Sequence, residues 1–134
     1  MLRAAICDDE SVILSMMKSS IEKTFLQEKF DCSIQAFSSG EELLKIHKDQ
    51  PYDVLFLDIY MTGYSGFDVA KTVGKLTPNT LLIFVTSQDS MVYNSLDYRP
   101  FQFVRKNRIQ TDNSELVTVT RKLIKYYREH KSIT

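Results

Sequence analysis

The chain has 134 residues, with 17 basic and 17 acidic side chains and a formal net charge of zero. This length predicts one domain around one core, and the balanced charge argues against a domain that binds nucleic acid through its whole surface. No apolar stretch approaches the ~20 residues of a membrane span, and no signal peptide is evident, so we expect a cytoplasmic protein without membrane contacts.

Five short apolar segments are predicted to be β-strands. The third and fourth are continuously apolar and bounded by turn-forming residues, which is typical of strands that are buried on both faces. The predicted strands cover residues 2–7, 32–37, 54–58, 81–86 and 101–105. The third strand ends on Asp58, which leads into a loop that contains two glycines.

Helical patterns separate and follow these strands. Apolar residues recur every four positions over residues 12–25, which predicts a long amphipathic first helix. Ser38 with Glu41 predicts a capping box at the start of the second helix, and Ser65 with Asp68 predicts capping of the third. The two remaining helices are predicted at residues 87–96 and from residue 112 onward.

The regular alternation of strands and helices predicts one α/β domain over residues 1–134, with a doubly wound parallel sheet. Five strands fit the order 2-1-3-4-5, in which strands 1 and 3 flank the point where the strand order reverses. Ligands of such sheets bind at the carboxyl ends of the strands beside that point. Asp8 and Asp9, after strand 1, and Asp58, at the end of strand 3, are therefore expected to converge.

Three carboxylates held within a few ångströms cannot all stay charged without help. Either one of them takes up a proton or a cation lies among them. Carboxylate oxygens suit Mg²⁺ or Mn²⁺, and a cluster without His or thiolate is a poor zinc site. The sequence therefore predicts a divalent-cation site formed by Asp8, Asp9 and Asp58.

Two further polar residues are expected at the same edge of the sheet. Thr86 ends strand 4 and offers a hydroxyl donor, while Lys106 follows strand 5 and offers an ammonium group. A carboxylate, a cation site, a hydroxyl and an ammonium together are what phosphoryl transfer needs. Asp58 is a chemically competent acceptor, because carboxylates form phosphorylated intermediates.

Four motifs at these strand ends resemble those of the receiver domain of two-component response regulators. In chain order they are Ile6-Cys7-Asp8-Asp9-Glu10, Leu57-Asp58-Ile59-Tyr60-Met61 with Gly66, Phe84-Val85-Thr86-Ser87 and Phe103-Val104-Arg105-Lys106. The resemblance covers nearly the whole chain. The first motif and the stretch from Tyr98 to Lys106 are similar to receivers that precede a LytTR-type DNA-binding domain.

This resemblance implies a flavodoxin-like fold and a phosphoacceptor at Asp58, which would take its phosphoryl group from a sensor histidine kinase. It implies that Asp9, Asp58 and the backbone carbonyl of Tyr60 bind Mg²⁺ or Mn²⁺, while Asp8 acts through a bound water molecule. Such a protein is not an enzyme for an outside substrate. Only its own phosphorylation from a donor and its own dephosphorylation are expected.

The resemblance also implies a switch. Thr86, the adjacent Ser87 and Lys106 would contact the phosphoryl group, and movement of Thr86 would be coupled to the ring of Phe103. The surface of the fourth helix, fifth strand and fifth helix would then change, and we expect a homodimer there. The output would be transcription through a LytTR-type domain absent from this chain, which alone would contact DNA. Alternatively, the receiver acts by itself through protein contacts.

Three positions depart from the family pattern. Thr62 stands where the family usually has proline, so we expect a less rigid loop after Asp58. Asn107 also replaces a proline, and a cis bond before a residue other than proline costs about 2.5–4 kcal/mol. We therefore expect the Lys106–Asn107 bond to be trans or strained. Phe103 lacks the hydroxyl contacts that a tyrosine would make.

Two other classes of protein share parts of this pattern. A Mg²⁺-dependent phosphatase with Asp58 as nucleophile generally has a general acid two residues later, where Tyr60 stands in this chain. A flavodoxin-like cofactor-binding protein has a loop rich in Gly, Ser or Thr after the first strand. Here Asp8 and Asp9 occupy that loop and would repel a phosphate unless a metal intervened.

Overall fold

A computed structural model describes residues 1–87, 96–106 and 114–130 of the chain. The strands are β1 (Leu2–Cys7), β2 (Cys32–Phe37), β3 (Val54–Asp58), β4 (Leu81–Thr86) and β5 (Gln102–Arg105). The helices are α1 (Ser11–Gln27), α2 (Gly40–Asp49), α3 (Gly66–Leu76) and α4 (Glu115–His130), and a 3₁₀ turn covers Leu96–Tyr98. Helix α4 is the fifth of the helices predicted from the sequence.

The five strands form one parallel sheet in the order β2-β1-β3-β4-β5, which confirms the predicted fold class and strand order. Cys7 at the end of β1 pairs with Leu57 on β3, and Asp58 pairs with Val85 on β4. Because the strands are in step, the carboxyl ends of β1, β3 and β4 finish at one edge of the sheet. The residues that follow these strands are thereby brought together.

Two apolar layers cover the two faces of the sheet. Successive strand residues point to opposite faces, so Phe56 packs in the layer formed with α1 and α4, and Leu57 packs in the layer formed with α2 and α3. Every residue of β3 is buried, as its continuous apolar run predicted. Each large apolar side chain buried in this way contributes roughly 1.5–3 kcal/mol. Asp58 therefore ends the most completely covered strand.

The predicted cap of α2 is wrong by one residue. Ser39, not Ser38, is the N-cap, and its hydroxyl accepts a hydrogen bond of 3.2 Å from the backbone N–H of Glu42. Strand β2 stays paired with β1 through Phe37, and the carbonyl of Phe37 also accepts from the backbone of Asp8 at 3.1 Å. The strand thus ends where the sequence predicts, and the helix begins one residue later than the sequence pattern indicated.

The capping box of α3 is confirmed. The Ser65 hydroxyl accepts from the backbone N–H of Asp68 at 3.2 Å, and the Asp68 carboxylate accepts from the backbone N–H of Ser65 at 3.0 Å. On α1 the buried residues Met17, Ile21, Thr24 and Phe25 all lie in the predicted apolar stripe, and Ile13 is partly buried against the core, although Val12 is 69% exposed. Thus the apolar periodicity predicted both the helix and most of its buried face.

Several predictions fall on parts of the chain that the structure does not describe. These are most of the helix predicted at residues 87–96, the start of the fifth helix at residue 112, and the Lys106–Asn107 peptide bond. Within the described ranges, no helix combines the length and the apolar character that crossing a membrane requires.

Candidate functional site

Three carboxylates meet at the carboxyl edge of the sheet. Asp8 directly follows β1 and is fully buried, Asp58 ends β3 and is 2% exposed, and Asp9 is exposed. One oxygen atom from each lies within 4.8 Å of the others. The predicted convergence of Asp8, Asp9 and Asp58 is therefore confirmed, and it follows from the register of β1 against β3.

Lys106, the residue after β5, places its ammonium group among the acids. Its Nζ atom lies 3.0 Å from Asp8 Oδ2, 3.0 Å from Asp58 Oδ2 and 3.2 Å from Glu10 Oε1. The lysine side chain is only 10% exposed. Glu10, the last residue of the first sequence motif, thus joins the cluster through Lys106.

Backbone donors orient the two buried carboxylates. The N–H of Glu10 donates to Asp8 Oδ1 at 2.9 Å, and the N–H of Tyr60 donates to Asp58 Oδ1 at 3.2 Å. Each carboxylate accepts from the residue two positions later, a local pattern that Asp favours where a strand gives way to a loop. The second oxygen of each, Oδ2, is left facing Lys106.

The charges in this cluster shift the proton affinities of two of its members. Burial, and then the negative charge of Asp8, raise the pKa of Asp58 to about 7, although the Lys106 ammonium acts in the opposite direction. Burial alone would lower the pKa of Lys106, but its contacts with Asp58 and Asp8 raise it above its ordinary value. Lys106 therefore stays charged at neutral pH while Asp58 is close to its midpoint of protonation.

The donor set fits a hard divalent cation. Asp8 Oδ2 is buried, and among the described residues no donor makes a well-aligned hydrogen bond to it, although the Lys106 ammonium is 3.0 Å away. Burial, followed by the negative charges of Asp8 and Asp58, raises the pKa of the neighbouring Cys7 thiol to about 12, and the group of potential ligands found among the described residues contains carboxylates only. Oxygen ligands without thiolate or imidazole suit Mg²⁺ or Mn²⁺ better than zinc.

The remaining predicted residues border this cluster. Thr86 is buried at the end of β4, one residue beyond the pairing partner of Asp58, and Ser87 follows it on the surface. Tyr60 is 48% exposed in the loop after β3. Phe103 is half-buried on β5, where it pairs with Phe84 on β4. The roles assigned to these four residues stay predictions.

One contact at the site was missed by sequence reasoning. Thr62, considered there only as the loss of a proline, donates to Asp9 Oδ2 twice, from its backbone N–H at 3.0 Å and from its hydroxyl at 3.2 Å. The available signal was a hydroxyl-bearing residue in the loop that follows Asp58. Whether it reaches Asp9 depends on the path of that loop, which the residue pattern does not specify.

Comparison with known proteins agrees with this geometry. Residues 4–121 match the profile of the response regulator receiver domain. Among curated relatives, the sensory transduction protein LytT of Bacillus subtilis (strain 168) is 25% identical over 128 residues, which cover 92% of this chain and 52% of LytT. LytR of Staphylococcus saprophyticus is 25% identical over 131 residues, or 98% of this chain and 50% of LytR. The chain thus spans about half the length of these relatives.

Solved structures share the fold. The response regulatory domain of protein mrkE from Klebsiella pneumoniae superposes with a TM-score of 0.81 at 18% identity, with 96% of this chain and 100% of that chain covered. The REC domain of AraT, a response regulator from Geobacillus stearothermophilus, gives a TM-score of 0.80 at 24% identity, with 98% of each chain covered. At these identities the likeness concerns the fold alone.

Proposed function

Because the chain belongs to the response regulator receiver family, we propose that Asp58 accepts a phosphoryl group from a sensor histidine kinase in a reaction that requires Mg²⁺ or Mn²⁺. The observation that carries this proposal is the shared lysine of the acid cluster. Lys106 Nζ lies 3.0 Å from an oxygen of both Asp58 and Asp8, and both carboxylates are buried. A nucleophile and a charge-neutralising group are thus already in contact.

In this reaction a carboxylate oxygen of Asp58 attacks the phosphorus atom of a phosphohistidine on the kinase. A P–O bond forms while the P–N bond breaks, and the electron pair of that bond returns to the imidazole nitrogen, which takes up a proton. Lys106 moves from pairing with the carboxylate to pairing with the oxygens of the transferred group, where negative charge accumulates. Asp58 must be ionised to attack, and the raised pKa of its carboxyl makes this sensitive to nearby cations.

The acids of the cluster, Asp58 included, would hold the cation. Asp8, Asp9, Asp58 and the backbone carbonyl of Tyr60 would bind Mg²⁺ or Mn²⁺, which neutralises charge on the transferring phosphoryl group. Asp8 acts through a bound water molecule in this arrangement. Support comes from the donor chemistry of the three carboxylates and from the buried Asp8 oxygen that lacks a well-aligned donor among the described residues.

The switch in this proposal lies on the neighbouring strands. The Thr86 hydroxyl and Ser87 contact the phosphoryl group, and movement of Thr86 changes the position of the Phe103 ring. Both residues lie on the β4–β5 pair, where Thr86 pairs with Arg105 and Phe84 pairs with Phe103. The surface formed by the predicted fourth helix, β5 and α4 then changes and forms a homodimer.

The output in this proposal is transcription in the cytoplasm. LytT and LytR are about twice as long as this chain, and a LytTR-type domain outside the chain would contact DNA. If no such domain is attached, the receiver acts through protein contacts alone. In either case the domain is a phosphoacceptor and turns over no outside substrate.

Phosphorylation by a small donor tests the proposal. We expect the intact mass of the wild-type protein to rise by one phosphoryl group after incubation with acetyl phosphate and Mg²⁺, and to stay unchanged when EDTA replaces Mg²⁺. Asp58→Asn should not be modified. Asp53→Asn, the same substitution at the opposite end of the β3 segment, is the matched control and should be modified like the wild type.

Two results would contradict the proposal. One is a wild-type mass that stays unchanged under conditions in which a control receiver is phosphorylated. The other is an Asp58→Asn variant modified to the same extent as Asp53→Asn. Steady turnover of a phosphate ester by the wild type would instead support the phosphatase alternative.

A further inference from the structure

We infer that Thr62 is a positioning residue for Asp9, and that its two hydrogen bonds hold the Asp9 carboxylate in the orientation that binds the divalent cation. Both bonds end on the same oxygen, Asp9 Oδ2, at 3.0 Å from the Thr62 backbone N–H and 3.2 Å from its hydroxyl. This inference rests on the proposed function, since it concerns the cation site of that proposal.

Asp9 needs such support more than the other two acids. Asp8 and Asp58 are buried, and each accepts a hydrogen bond from the backbone two residues later. Asp9 is exposed, so burial does not restrict the rotation of its side chain. An exposed carboxylate that must order itself on binding a cation pays conformational entropy at that step. The contact with Thr62 reduces this cost in advance.

The loop around Thr62 is held on both sides. The N–H of Tyr64 donates to Glu41 Oε1 on α2 at 3.1 Å, and Gly63 adopts a φ of +80°, which favours glycine. On the other side, the N–H of Gly66 donates to the carbonyl of Ile59 at 3.0 Å. The path of the loop therefore places Thr62 next to Asp9, a residue that lies 53 positions earlier in the chain.

Two donors on one oxygen restrict the plane of the carboxylate. Hydrogen bonds to a charged acceptor are stronger than bonds between neutral groups, and those from outer partners of metal-binding carboxylates typically change metal affinity 10–100-fold. Substitution of Thr62 by valine keeps the shape and the backbone N–H but removes the hydroxyl. Only one of the two bonds is then lost, so the effect is smaller than that range.

Calorimetric titration with Mg²⁺ alone tests the inference on the unphosphorylated protein. We expect the dissociation constant of Thr62→Val to be about three- to tenfold higher than that of the wild type. Thr62→Ser, which keeps a hydroxyl, should stay within about twofold of the wild type. Thr72→Val is the matched control, because its hydroxyl donates to the Asp68 carbonyl on α3 rather than to the acid cluster.

The outcomes separate this inference from the proposed function. If Asp9→Ala binds Mg²⁺ as tightly as the wild type, the cation site itself is wrong. If Asp9→Ala weakens binding but Thr62→Val binds like Thr72→Val, only the positioning role of Thr62 is wrong. Tighter binding by Thr62→Val would also overturn it, because the hydroxyl would then compete with the cation. Equal weakening by serine and valine would show that the hydroxyl is not responsible.

Discussion

At the level of single residues, the acid cluster holds more negative than positive charge. Asp8, Glu10 and Asp58 contact the ammonium of Lys106, and Asp9 lies beside Asp8 and Asp58, so four acids share one lysine among the described residues. Two of these acids are almost completely buried, and a buried charge is costly unless it is paired or neutralised. In the absence of a cation, protonation of Asp58 reduces this excess of negative charge. Burial and the charge of Asp8 accordingly raise the pKa of Asp58 to about 7.

This excess charge predicts that Asp58→Asn stabilises the protein in metal-free buffer. In the folded state the pKa of Asp58 lies above its value of about 3.8 in the unfolded chain. The contribution of Asp58 to the free energy of unfolding is therefore fully present below pH 4, where the carboxyl is protonated in both states, and it is lost as the pH rises through 7. We expect the variant to be about 1–3 kcal/mol more stable than the wild type at pH 7.5.

Urea unfolding measured from pH 4 to pH 8 checks this expectation. The stability difference between Asp58→Asn and wild type should grow as the pH rises from 4 to 8. A difference that stays constant with pH, or a variant that is less stable at pH 7.5, would show that Lys106 already compensates the buried carboxylates.

At the level of the elements, close packing explains why two helices have glycine as their first residue. A Cβ atom on Gly40, the first residue of α2, would lie 2.6 Å from a methyl group of Val69 on α3. A Cβ atom on Gly66, the first residue of α3, would lie 2.3 Å from the backbone oxygen of Asp58. Both helices therefore begin with a residue that lets them approach their neighbours, and the start of α3 is packed directly against the backbone of Asp58.

The N-terminus of α2 offers a matched pair of substitutions. Ser39 caps the helix and Ser38 is exposed before it, so Ser39→Ala should lower the free energy of unfolding by about 0.5–2 kcal/mol, whereas Ser38→Ala should change it by less than about 0.5 kcal/mol. Chemical denaturation of the two variants measures both values. A larger loss of stability for Ser38→Ala than for Ser39→Ala would indicate that Ser38 is the N-cap, as the sequence pattern predicted.

At the level of the whole molecule, the sheet brings together residues that are distant in the chain. Asp8, Asp58 and Lys106 could be predicted to meet, because each directly follows or ends a strand and the ends of parallel strands share one edge. The contact between Thr62 and Asp9 could not be predicted, since it depends on the turn at Gly63 and on the tie to α2. The cap at Ser39 was missed for a different reason: Glu41 stands three residues after Ser38 and Glu42 stands three residues after Ser39, so the capping pattern fits both serines equally well.

The central claim is that Asp58 carries the phosphoryl group, and chemical trapping of the phosphorylated residue tests it most directly. Borohydride reduces an aspartyl phosphate to homoserine, and peptide mass mapping then locates the change in the chain. After treatment with acetyl phosphate and Mg²⁺, we predict homoserine at position 58 and unchanged aspartate at positions 8 and 9. Homoserine at another position, or none in a protein that has gained the mass of a phosphoryl group, would contradict the account.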